Sequence, residues 1–119
     1  NNIVGSWHDV HSQLRYIFDN EGFAIVEVGY QKIGGHGENI DSALKYEIDY
    51  SQDPIPLDLI HFNKVENSVT SKKAMIVKFI DNDNIKIRTF MTNERPTEFE
   101  EKDHVNTMVL AREKKEPLN

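Results

Sequence analysis

The sequence predicts an all-β protein: an antiparallel up-and-down barrel of eight strands, closed at one end by tight turns. Three observations carry this. Apolar residues alternate with polar ones in short runs rich in β-branched and aromatic side chains, the period of half-buried antiparallel strands. Between some runs stand short polar sequences of the residue types that turns select. Between the others lie connections longer than the usual hairpin range. Short and long alternate, and in a meander every second connection falls at the same end, so the expected shape is a cup with a rim.

The elements follow in order. A first strand is expected around Ile3 to Val10. In the second, Leu14, Tyr16 and Phe18 alternate with Gln13, Arg15 and Ile17. Residues 23–30, apolar on both faces, form the third. The clearest run is Leu44-Lys45-Tyr46-Glu47-Ile48-Asp49-Tyr50, with Leu44, Tyr46 and Ile48 on the buried face and the charges on the other. In the strand from Ile55 to Phe62, Leu57, Leu59 and His61 stand opposite Asp58 and Ile60. Residues 73–80, Ile85 to Thr89 and residues 107–112 complete the set. Tight turns are expected at Asp19-Asn20-Glu21-Gly22, Ser51-Gln52-Asp53-Pro54 and Asp81-Asn82-Asp83-Asn84. The long connections are Lys32 to Asp41, Asn63 to Ser71 and Asn93 to Asn106. An eight-stranded barrel either fills its interior with side chains or holds one small ligand. The inward set here includes Tyr16, Phe18, Tyr46, Ile48, Leu57, Leu59, Val77, Phe79, Ile87, Thr89, Met108 and Leu110.

Composition bounds the function. The 119 residues fit one domain, 1–119, with one core. The absence of cysteine excludes disulfides, thiolate metal sites and a cysteine nucleophile. A net charge of −6, with no clustering of lysines beyond the pairs Lys72-Lys73 and Lys114-Lys115, argues against nucleic acid. No apolar run approaches the ~20 residues of a membrane-spanning helix. The chain starts at Asn1, which is compatible with removal of an export signal.

Three segments, taken in order, resemble the small bacterial lipocalin-like domains, a group of calycin-type barrels. Ile3-Val4-Gly5-Ser6-Trp7 matches the Gly-x-Trp that opens lipocalin-type barrels. Asp53-Pro54-Ile55-Pro56-Leu57-Asp58-Leu59 is similar to the family's proline-containing turn and apolar-Asp-Leu strand. The closing part, from Asp83 through Arg95-Pro96-Thr97-Glu98-Phe99 to Met108-Val109-Leu110-Ala111-Arg112-Glu113, resembles the family's last hairpin. The resemblance implies the barrel and a binding cavity, and no catalytic residues. In one respect the chain departs from longer relatives: only a few residues separate Trp7 from the strand around Tyr16, where those relatives insert a segment. Antiparallel closure then brings Trp7 and Arg112 to the short-turn end, where a guanidinium over an indole is favourable by ~0.5–2 kcal/mol. Gly5, Trp7 and Arg112 are thus expected to form a structural plug.

The remaining constellations are sparse. His8 and His11 are three apart, which on a strand sends them to opposite faces, so no metal site is expected. His36, His61 and His104 map to the long-loop end and could converge there. Gly34-Gly35-His36-Gly37 is glycine-rich but matches no phosphate-binding fingerprint, and reads as a rim loop. Arg95 could present a guanidinium to a ligand carboxylate. Thr97-x-x-Glu100 also fits a capping box opening one helical turn, and this structural reading of the segment is the preferred one. Glu98, Glu100, Glu101 and Asp103 form a solvated charge run, and Ser68, Thr70 and Ser71 lie in a loop with no nucleophile motif.

The function expected from these residues is non-catalytic binding of one small, largely apolar molecule, without a cofactor, through the long-loop end. Polar groups orienting it would come from His36, His61, Arg95 or His104, and apolar contacts from Tyr16, Tyr46, Leu59 and Thr89. Two alternatives belong to other classes. One is a filled barrel serving as a structural or protein-interaction module. The other is a small-molecule enzyme built on the rim histidines and Arg95.

Overall fold

A computed structural model describes residues 2–35 and 42–114. Those residues contain strands, turns and irregular segments, and no helix. The strands are β1 (Gly5–Asp9), β2 (Leu14–Phe18), β3 (Ala24–Val28), β4 (Gln31–Gly34), β5 (Ser42–Ile48), β6 (Ile55–Asn63), β7 (Ser68–Asp81), β8 (Asn84–Thr89) and β9 (Thr107–Arg112). They form one nine-stranded antiparallel sheet in the order β4-β3-β2-β1-β9-β8-β7-β6-β5. The first and last strands pair, Trp7 opposite Arg112 and Asp9 opposite Leu110, so the two halves of the meander join through the chain ends.

The sheet curls into a nearly closed barrel. Its two outer strands meet without a full ladder: a bridge links Phe23 and Lys45, and the amides of Leu44 and Tyr46 donate to the carbonyls of Gly35 and Gly22 at 3.4 and 2.9 Å. Gly34 sets how closely this seam approaches. It sits at φ +102°, and a Cβ there would stand 2.6 Å from the Ala24 carbonyl and 2.7 Å from the Leu44 Cβ. Only glycine serves at such a position.

Two of the three expected long connections are shorter than the sequence suggests. Gly29 and Tyr30 turn the chain into β4, a ninth strand inside the segment read as a loop from Lys32 to Asp41. That strand escapes a periodicity reading because Gln31 and Lys32 are exposed and Ile33 is half exposed, as on an edge. The segment from Asn63 to Ser71 is a four-residue turn, 64–67, between strands that run on past the expected ends. A bulge at His61/Phe62 breaks the alternation there, which hides the strand from a strict period of two.

The inward set is otherwise as the alternation predicts. Trp7, Phe18, Leu57, Val77, Ile87 and Leu110 are buried in one core, with Tyr46, Ile48, Phe79 and Met108 packed against it. Along β5, Leu44 is buried and Glu47 exposed, and Lys45 lays its ammonium 4.3 Å from the centre of the Phe62 ring.

The third long connection, residues 90–106, is irregular as expected, but after Asn93, which lines the mouth, most of it leaves the rim. It folds back as a strap over the outer face of β6, β7 and β8. Beneath it lie Ile60, Ala74 and Ile76, on outward positions yet buried, and Pro96 is buried in the strap itself. Two arginines pin it. Arg88, on β8, donates to Asp103 at 2.9 Å and to the Glu98 carbonyl at 2.6 Å. Arg95, in the strap, donates to Asp58 at 2.6 Å and to the Met75 carbonyl at 2.9 Å. The helical turn expected at Thr97 to Glu100 is absent; a single turn closes instead from the Asp103 amide to the Glu100 carbonyl at 3.1 Å.

The strap sets an acid limit on the fold. The Arg88 guanidinium, then the Asn106 side chain, hold the Asp103 carboxyl below its usual range. A carboxyl whose pKa is depressed on folding stabilises above its unfolded value, about 3.9, and that contribution is lost as pH falls through the folded value. Urea midpoints measured at stepped pH should therefore drop below about pH 4, and Asp103→Asn should flatten that acid limb. An acid limb identical in the variant would mean that the pair contributes nothing.

Candidate ligand-binding site

The two ends of the barrel differ in what the strands put inside. At the short-turn end the interior packs around Trp7, and an open pocket of about 430 Å³ lies beside it, lined by Tyr50, Gln52, Asp53, Ile55, Val77, Lys78 and Phe79. The Trp7 ring lies edge-on to Phe79 at 6.5 Å, and its Nε1 donates to the Ile3 carbonyl at 2.8 Å. The Arg112 guanidinium stands 4.2 Å from the centre of the Trp7 ring. It also donates to the carbonyls of Asn2, Val4 and Asn82 at 2.8, 2.7 and 2.9 Å, tying the N-terminal segment and the β7–β8 turn to the last strand. Gly5 makes room for it: at φ +134°, a Cβ on Gly5 would meet Arg112 Nη1 at 2.7 Å.

Farther up, a floor of stacked rings crosses the barrel. Tyr16 and Phe18 lie parallel at 6.0 Å, and Phe18 meets Tyr46 edge-on at 5.0 Å. Above the floor a cavity of about 330 Å³ opens at the mouth, walled by Tyr16, Val26, Ile33, Leu44, Leu59 and His61, with Ser71, Lys72, Lys73 and Asn93 on its other side. The elements explain the lining. Leu59 and His61 are successive inward positions of β6, and Ser71 and Lys73 are their partners on β7. Burial pushes the Tyr16 hydroxyl above the usual tyrosine range, so it meets the cavity as a neutral group. Around the mouth, turn residues expose apolar side chains: Tyr30 fully, Met91 and Val105 almost so, and Val65 largely.

The residues expected to meet a ligand fall into two groups. Tyr16, Leu59 and His61 come together in the cavity. Thr89 shares their inner face, opposite Met75, and its hydroxyl is buried without a partner among the described residues. The others are elsewhere. Tyr46 points to the short-turn end, its hydroxyl donating to the Asp19 carbonyl at 2.5 Å. Arg95 is clamped to Asp58 on the outside of the sheet, because the strap that carries it covers β6 and β7 and leaves the rim. His104 is exposed on that strap, beside a second pocket of about 410 Å³ that it lines with His11, Asp9 and Lys86. His36 lies outside the described residues. The rim histidines expected to converge are thus apart where they are described, and among the described residues no group of three His, Asp or Glu is placed to hold a metal ion.

Sequence reasoning missed Val26, Ile33, Leu44, Ser71, Lys72, Lys73 and Asn93. The signal for Lys73 was present: it is in phase with Met75, Val77 and Phe79, which alternation puts inside.

No protein-family model, curated protein or solved structure matches the chain. Its architecture, a nearly closed antiparallel barrel, is consistent with a calycin-like fold. None of its described helices is long and apolar enough to cross a membrane, since there are none.

Proposed function

We propose that the chain is a lipocalin-like, non-catalytic binding protein that takes one small, largely apolar molecule into the mouth of its barrel. The mouth cavity carries this reading. Its volume, about 330 Å³, is at the lower end of the range for ligand sites, which suits a small molecule. Its walls offer Val26, Leu44 and Leu59, and each methylene they take from water contributes ~0.8 kcal/mol. The lipocalin-like reading is supported by the Gly5-x-Trp7 opening, by the Arg95 to Phe99 segment and by the seating of Arg112 on Trp7.

A fluorescent apolar probe titrated into the protein tests the reading. Binding should weaken at least about ten-fold in Leu59→Trp, which fills the cavity, a change of ~1.4 kcal/mol. It should be unaffected by Asn82→Ala at the plugged end. Equal binding after Leu59 is enlarged would place the probe elsewhere and defeat the proposal.

A second reading is favoured by a different observation. The lower half of the barrel is packed around Trp7, Phe18 and Val77, and the mouth end exposes Tyr30, Val65, Met91 and Val105. Those features suit a filled barrel that docks on another protein. Failure of the wild-type protein to bind any apolar probe would select it.

A further inference from the structure

We infer that the molecule held at the mouth is an anionic amphiphile, a short-chain carboxylate whose head meets Lys73 and whose tail lies against Tyr16, Leu44 and Leu59. This rests on the binding reading above and adds the chemical class of the ligand.

The mouth is two-sided. Its apolar walls come from β2 to β5 and the lower part of β6: Tyr16, Val26, Ile33, Leu44 and Leu59. Its polar groups gather on the opposite side, on β6, β7 and the residues after β8: His61, Ser71, Lys73 and Asn93. No Asp or Glu is among the described residues of the lining. A wholly apolar ligand would leave that polar side unmatched. A ligand with one charged end fits both sides.

The neighbouring lysines show what Lys73 lacks. Lys72 faces outward and pairs with Asp58 at 3.2 Å. Lys73 faces inward, opposite Leu59 and half-buried, and its ammonium donates to the Phe90 carbonyl. No carboxylate among the described residues pairs with it. An ammonium has three donors, so two remain. A charge drawn out of water calls for a counter-ion, and a carboxylate at the mouth supplies it through charge-assisted hydrogen bonds. The Thr89 hydroxyl is a second unmatched group on the same face. It lies opposite Met75, which makes Thr89 the diagonal cross-strand neighbour of Lys73, and is buried without a partner among the described residues.

The test compares octanoate with octanol, two chains of one length that differ in the head group, by calorimetric titration. The wild-type protein should bind octanoate at least about ten-fold more tightly, the size of one hydrogen bond to a charged group. Lys73→Met should lower octanoate to the level of octanol and leave octanol binding unchanged. Thr89→Val should reduce octanoate binding by a smaller factor. In the unmodified protein, octanoate and not octanol should shift the side-chain resonances of Lys73, a readout that needs no variant to fold. Equal affinity for the two ligands in wild type, or a preference that survives Lys73→Met, overturns the anionic head while leaving apolar binding in place. Binding of neither overturns both.

Discussion

Trp7→Ala is expected to destabilise the protein by about 3–5 kcal/mol, the range of large aromatic deletions from cores. Stability totals for small domains are of order 5–15 kcal/mol, so this one change removes a large share. Three losses combine. The ring is wholly buried, and its removal leaves a void between Ile3, Phe79 and the last strand. The Ile3 carbonyl loses its indole donor. The Arg112 guanidinium keeps its carbonyl partners but loses the face it stacks on, 4.2 Å away. Trp7→Phe, which restores most of the volume without the N–H, should recover more than half of the loss. Trp7 is the chain's one tryptophan, so unfolding has to be followed by circular dichroism in urea. A loss below about 1 kcal/mol, the typical single-mutation effect, would show that the short-turn end does not depend on this plug. Gly5→Ala provides an independent check on the same contact. It strains the backbone at φ +134° and pushes on the guanidinium, and should destabilise without touching the indole.

This end of the barrel was legible in the sequence because each part of it is written locally. Gly5-Ser6-Trp7 opens a strand, Arg112 ends one, and antiparallel closure admits few registers. The core face was equally legible wherever the strand is two-sided, as in β5, where Leu44 and Glu47 differ in burial as their spacing requires. Legibility failed where alternation is broken or absent. β4 is a four-residue edge with Lys32 and Ile33 both exposed to solvent, and nothing distinguishes such a strand from a loop. The bulge opposite His61/Phe62 adds Thr70 to β7 and puts Val69 out of phase with Ser71 and Lys73. The mouth was half legible: Tyr16, Leu59 and His61 follow from strand parity, whereas Arg95 and His104 were placed there only because the connection carrying them is long. Length says that a segment has freedom to travel; it does not say where it goes. One local clue existed. Ala74-Met75-Ile76-Val77 is apolar on both faces, the mark of a strand covered on both sides. In an isolated barrel wall, Ala74 and Ile76 would face water. Their burial requires a cover, and among the described residues the strap supplies it.

The strap gives the second large effect. Arg88→Ala is expected to cost about 1–3 kcal/mol, as leaving hydrogen-bonded acceptors without their donor does. The Arg88 side chain is 7 % exposed, and its guanidinium holds both the Asp103 carboxylate and the Glu98 carbonyl. Truncating it leaves those acceptors without their donor and removes the stem that fills the space beside Ile76, its cross-strand partner. The loss should be local as well as global. Residues 93–106 have no ladder of their own, so their position depends on Arg88, Arg95 and the buried Pro96. Limited proteolysis of Arg88→Ala should therefore cut within the strap at protease levels that leave the wild-type chain intact, while strand amides of β1 and β2 keep their exchange protection. Arg88→Lys should rescue little, because an ammonium cannot span Asp103 and the Glu98 carbonyl as the fork does. Arg88→Met separates packing from charge: if it restores most of the stability, the stem over Ile76 matters more than the ion pair. The cavity gives a final discrimination. The strap crosses the outer face, while Lys73 lies on the inner one and meets the strap at the Phe90 carbonyl, so Arg88→Ala should loosen the strap at a temperature where apolar-probe binding is still intact. Simultaneous loss of both would mean that the strap and the mouth open as one unit, and that residues 90–93 gate the cavity from its rim.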